Sequence, residues 1–265
     1  MMNLFRADMF MLKRSKGFKL SVLLSLICVS SLGLVLHFVE TGKIGKDIMS
    51  SISILFDAMM VSMLASLMIG SYICGDFQSK TIHSEVGCES RGKVIIVKVF
   101  TSMFITALIT LPYAIVSVIC FASKAEFAEL KGIPSLFTGI MSNTSGVDVT
   151  SASIVKGSVL ALVGVLIYAA RLSICIPLAF KVRKSVVVMA CGIAAAFGID
   201  TLLVKVSDDI PVVGTVLKNT PYAIMYDLNM NTGAGTVIKA AVSSIVFIVV
   251  MICLTYTMFR RSEIK

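Results

Sequence analysis

Long apolar runs alternate with short polar connections along this chain. A helix that crosses a bilayer needs about 20 predominantly apolar residues. Six segments meet that requirement: Phe18–Val39, Ile54–Cys74, Val94–Phe121, Ile154–Phe180, Ser185–Val204 and Thr236–Phe259. The third and fourth are long enough to tilt, or to begin outside the hydrocarbon. The pattern predicts an all-α polytopic membrane protein, a single transmembrane domain over 1–265 with six spans. A basic stretch precedes the first span, as in a signal peptide. Its apolar part is too long for one, however, and no small-residue cleavage pattern follows His37–Phe38–Val39, so an uncleaved span is expected.

Two later connections break the alternation. Ser123–Ser153 and Lys205–Gly235 are long and carry Gly132, Pro134, Gly139, Gly146, Pro211, Gly214, Pro221, Gly233 and Gly235. Such breakers exclude one continuous helix. The stretch IPVVGTVLKNTPYAIMYDLNM is still apolar enough to lie in the interface or dip into it as short helices.

Composition agrees with the pattern. The chain is 57% hydrophobic and 15% charged, with a mean hydropathy of +0.95. Soluble domains run at about 45–50% apolar and about 25% charged, and a domain of this size could not bury so much apolar surface. The net charge of +9 changes the picture only through its distribution. Arg6, Lys13, Arg14, Lys16 and Lys19 form one group, followed by Lys80, Arg91, Lys93 and Lys98, then Lys181, Arg183 and Lys184, then Arg260, Arg261 and Lys265. These groups fall beside every second junction of the apolar runs, the positive-inside pattern. Both termini and the 75–93 loop are therefore expected in the cytoplasm, in a multi-pass protein of the plasma membrane, the inner membrane if bacterial. The partner implied by the basic balance is the lipid bilayer and not nucleic acid.

Candidate chemistry is sparse. The seven cysteines show no metal spacing and read as packing residues. His37 and His83 have no second ligand nearby in sequence. No metalloprotease, nucleophile-elbow or paired-aspartate motif occurs. TGKIGKD at Thr41–Asp47 lacks the first glycine and the final hydroxyl of a phosphate loop, so it reads as a turn. The chain is not expected to be an enzyme and should hold no cofactor of its own. If ATP drives it, another chain binds the ATP and magnesium.

Charges within apolar runs are expensive and mark candidate functional positions. Asp57 and Asp200 lie near the outer ends of the second and fifth spans. Interfacial pairing or snorkelling would account for both. Arg171, in the inner half of the fourth span, could snorkel inward, pair across a dimer, or line a polar path. Small residues recur every four positions at Ser62, Ser66 and Gly70, and at Ala190, Ala194 and Gly198. Such faces allow close helix contact within the bundle or at a dimer seam.

Two polar pieces complete the reading. Before the first span, Leu4, Phe5, Met9, Met11 and Leu12 share a helical face opposed by Arg6, Lys13 and Arg14, with Asp8 inside the apolar arc. This 1–17 segment is expected to lie along the membrane surface. After the second span, Gly75–Asp76 is expected to break the helix, and Phe77–Val86 to form a short one with Phe77, Ile82 and Val86 as apolar contacts. Gly87 would end it and Ser90 would cap the next helix.

This pairing resembles the permease subunits of ABC-2 type (type V fold) ABC transporters. The resemblance rests on Arg14–Ser15–Lys16, Asp76–Phe77, Thr81–Ile82, Ser90–Arg91 and Lys98, with Lys80 in place of the family's glycine before Thr-Ile, and it covers the whole six-span order. It implies a coupling helix that docks on a separate ATPase subunit, through Phe77, Gln78, Thr81, Ile82, His83, Glu85, Val86, Ser90 and Arg91. It further implies two permeases, identical or related, on two ATPases. The exported cargo would be amphipathic or hydrophobic, such as a peptide, antibiotic or toxin. The competing readings are an ATP-independent secondary transporter or channel, and a regulatory membrane subunit.

Overall fold

The computed structural model describes residues 2–45, 55–128, 135–209 and 218–261, and all regular structure among them is helical. The elements are α1 (Met2–Arg14), α2 (Lys16–Glu40), α3 (Asp57–Gln78), α4 (Thr81–Cys88), α5 (Arg91–Ala122), α6 (Leu136–Met141), α7 (Ser151–Leu172), α8 (Cys175–Val182), α9 (Ser185–Asp209), α10 (Pro221–Asp227) and α11 (Ala234–Arg261). Five helical stretches are long and apolar enough to cross a membrane: α2, α3, α5, the run Ser151–Val182 and α11. The fifth expected span falls on α9, whose apolar stretch among the described residues is the shorter Ser185–Ala196. The chain is an all-α polytopic membrane protein.

Local chemistry explains where the helices stop. Ser15 caps α2 by accepting from the Phe18 amide at 3.4 Å, which separates α1 from the first span. The expected fourth span is broken at Ser173–Ile174, between α7 and α8. Pro177 supplies the reason, because its ring opposes the carbonyl four residues earlier, at Ser173. Thr150 and Ser153 form a reciprocal capping box at the start of α7.

Two expectations about the polar loop are corrected. Gly75 and Asp76 do not break the second span, because α3 runs through them to Gln78. The reversal falls at Ser79–Lys80, where Lys80 takes left-handed backbone angles (φ 59°). Lys80 thus stands at the one position of this turn that favours glycine. Gly87 lies inside α4, which ends at Cys88, and Ser90 occupies the cap position of α5 without making a side-chain capping bond.

Helix α5 is central. It packs against α7, α2, α3, α6, α11 and α1, while α3 packs on α9. Its buried face carries Lys98, Ser102, Thr106 and Thr110 at four-residue intervals. The three hydroxyls donate to the carbonyls of Lys98, Ser102 and Thr106, so they are satisfied within their own helix. The small-residue faces separate in role. A Cβ on Gly192 would meet Ser66 Cβ at 2.6 Å, and one on Gly70 would meet the Ser185 carbonyl at 3.0 Å. Ser66 and Gly70 therefore bring α3 and α9 together inside the bundle. Ala190, Ala194 and Gly198 instead point away from it.

Candidate functional site

Lys98 lies two turns into α5 in an otherwise apolar segment, and its side chain is fully buried. Three carboxylates from three other helices converge on it. Its Nζ is 3.0 Å from Asp8 Oδ1 of α1, 2.8 Å from Asp76 Oδ2 of α3 and 2.9 Å from Glu85 Oε1 of α4. Tyr72, one turn before Asp76 on α3, donates its hydroxyl to Asp8 Oδ2 at 2.5 Å. The Tyr72 ring also lies 4.8 Å from the ammonium, which adds a cation–π contact.

Each element has a reason to present its group here. Asp8 and Leu12 are the buried residues of α1, four positions apart on one face. Helix α4 has only 8 residues, too few to be stable alone, so its attachments determine its position. Ile82 is buried and joins the main core, Val86 packs against that core, and Glu85 reaches Lys98. Burial holds the Glu85 carboxyl above its usual range, against the opposing attraction of Lys98.

An aromatic layer adjoins the ion cluster. Phe77 meets Phe180 edge-on at 5.7 Å and Phe259 at 6.4 Å, and Phe180 meets Phe259 at 5.0 Å. Arg183 lies over Phe77 and Arg91 over Phe259. Arg91 also donates to the carbonyls of Phe259 and Arg260 at the end of α11, a position where a cation suits the helix dipole. The cluster and the aromatic layer thus tie α1, α3, α4, α5, α8 and α11 together at one end of the bundle.

The residues expected to couple to a partner divide into two sets. Ile82 and Glu85 are buried against the bundle, Phe77 and Val86 are half-buried against it, and Arg91 joins α11; these contacts attach α4 to the bundle. Gln78 and Ser90 are exposed, as are Ser79, Lys80, Ser84, Gly87 and Lys93. Thr81 is half-buried, with its hydroxyl 2.8 Å from that of Ser79. The side chain of His83 lies outside the described residues.

The intramembrane charges fall elsewhere. Asp57 is fully buried at the start of α3 and accepts from Ser135 Oγ, at the start of α6. Arg171 is 4% exposed and does not snorkel. It donates to Ala196 O at 3.2 Å and meets Met225 Sδ at 3.0 Å, with the Tyr222 ring 4.8 Å away. Tyr222 in turn donates to the Arg171 carbonyl at 2.8 Å. Arg171 therefore holds α10 against α7 and α9. The side chain of Asp200 lies outside the described residues. A cavity of about 660 Å³ near the α2–α6 end is lined in part by Glu40, Lys124, Glu126 and Asp148, all exposed. It is remote from the Lys98 cluster.

Asp8, Tyr72, Asp76 and Lys98 were not singled out by sequence as one constellation. A signal did exist: Asp8 interrupts the apolar arc of α1, and Lys98 lies within an apolar span. Two misplaced charges of opposite sign form a candidate pair. Among the described residues, no group of three His, Cys, Asp or Glu could hold a metal ion. No family model matches the chain, and no curated protein matches it.

Proposed function

We propose that the chain is the permease subunit of an ABC-2 type exporter and that α4 is its coupling helix. The observation that carries this reading is the convergence of α1, α3, α4 and α5 on Lys98. A push on the exposed side of α4 would pass through Glu85 and Lys98 to the spanning helices α5 and α3. Gln78, Ser79, Lys80 and Ser84 provide the polar outward surface. The order of short motifs from Arg14 to Lys98 adds the family resemblance.

In this reading the chain crosses the plasma membrane six times with α9 as the fifth span, and both termini and α4 are cytoplasmic. Two such permeases stand on two ATPase subunits, which bind ATP and magnesium. Nucleotide-driven closure of the ATPases moves α4 and shifts the bundle between inward- and outward-facing states. The cargo is an amphipathic or hydrophobic peptide, antibiotic or toxin.

The test begins by asking whether an ABC ATPase is encoded beside the gene, and continues with co-purification of the two chains and crosslinking from cysteines introduced at Gln78 and Ser84. Both positions should crosslink to the ATPase, and transport should fail when they are blocked. An active complex in which neither position is shielded would remove α4 from the coupling role. Transport without any ATPase would favour a secondary transporter.

A further inference from the structure

We propose that the Lys98 cluster holds a proton on Glu85, and that this proton keeps α4 attached to the bundle. The argument begins with counting charges. Asp8, Asp76 and Glu85 face a single ammonium, so full ionisation would leave two uncompensated negative charges. All four side chains are between 0% and 11% exposed, so water cannot screen the excess. Buried groups in that position take up a proton instead of remaining charged.

The geometry indicates which carboxyl takes it. Asp8 has both oxygens occupied, accepting from Lys98 on each and from Tyr72 as well. Asp76 Oδ2 and Glu85 Oε2 are both buried without a hydrogen-bond partner, but Asp76 Oδ2 lies 2.8 Å from the Lys98 ammonium, whereas Glu85 meets it through Oε1 and leaves Oε2 without a partner. An ionised oxygen there would be desolvated and unpaired. The charged groups around Glu85 are Asp8 from α1, Asp76 from α3 and Lys98 from α5, and two of these three repel its ionised form. Burial raising the Glu85 carboxyl acts in the same direction.

Glu85 is also the one member of the cluster on α4. Loss of its proton places a repelled charge on the least anchored helix, and the remaining members stay fixed on α1, α3 and α5. The sign follows from linkage. Attached α4 binds the proton more tightly than released α4, so attachment is strongest at low pH. It weakens about tenfold per pH unit between the released and attached ionisation ranges of Glu85, then levels off. If α4 is the coupling helix, as proposed above, transport coupling inherits this pH dependence.

The experiment uses the full chain alone in lipid nanodiscs, so its outcome does not depend on any ATPase. Infrared difference spectra between neutral and alkaline pH should show loss of a protonated-carboxyl band, and the band should be absent in Glu85→Gln. Hydrogen exchange of residues 81–88, corrected for the intrinsic rate, should lose protection by about tenfold or more as pH rises through that window. In Glu85→Gln, which stays neutral, protection should be retained at every pH. A carboxyl band unchanged by Glu85→Gln, or none at neutral pH, overturns the proposal. So does pH-independent protection of α4 in the natural chain. These results would leave crosslinking of α4 to an ATPase unaffected, so the two readings fail separately.

Discussion

Lys98 and Asp8 lie 90 residues apart in sequence and 3.0 Å apart in space. Through this contact, the helix that precedes the first span is joined to the central helix α5. A buried ion pair of this kind adds little net stability against an apolar alternative, but breaking it from one side is expensive. Lys98→Met should therefore cost roughly 3–5 kcal/mol, because the buried carboxyl groups of Asp8, Asp76 and Glu85 lose their cation. Thermal unfolding in nanodiscs checks the figure. A loss no larger than that of an exposed lysine such as Lys184 would mean that the cluster is not held as described.

Lys80 provides a local test of backbone strain. A non-glycine residue in the left-handed region costs on the order of 1 kcal/mol or more. Lys80→Gly should leave stability equal or raise it by up to about 1 kcal/mol. Lys80→Val should lower it, since a β-branched side chain tolerates these angles poorly. Exchange protection of residues 81–88 should follow the same order, because this turn positions α4.

Tyr222 and Arg171 hold the short helix α10. Removing the Tyr222 hydroxyl leaves the buried Arg171 carbonyl without this donor, at a cost of about 1 kcal/mol. Arg171→Met also removes the contacts to Ala196 O and Met225 Sδ. Both variants should increase hydrogen exchange in residues 221–227 and leave residues 81–88 unchanged. Equal effects on the two segments would show global loosening instead of a local hold.

Gly192 and Gly198 make opposite predictions on the same helix. Gly192→Ala places a Cβ 2.6 Å from Ser66 Cβ and 2.8 Å from Cys175 Sγ, an overpacking expected to cost about 1–3 kcal/mol. Gly198 has nothing within 4 Å, so Gly198→Ala should gain up to about 1 kcal/mol from helix propensity. Melting temperatures of the two variants should move in opposite directions.

Much of this architecture can be read from residue type and spacing alone. Apolar runs of bilayer length determine an all-α membrane protein, because a backbone in hydrocarbon must satisfy its own hydrogen bonds. The Gly- and Pro-rich connection after α9 announced a short apolar helix, and α10 is that helix. The uninterrupted apolar run Ile154–Phe180 concealed the break between α7 and α8, which Pro177 explains.

Tertiary structure decided what each charge and each helical face does. Phe77, Ile82 and Val86 have the spacing of a docking face, but spacing does not say on which side the partner lies. Here the bundle takes the apolar side and leaves the polar side of α4 exposed. Asp8, Asp76, Glu85 and Lys98 come from four separate helices, and their local sequences carry no record of one another. Only packing brings the three carboxyl groups within 3.0 Å of Lys98 Nζ, where a low dielectric makes their mutual charge balance a dominant local energy.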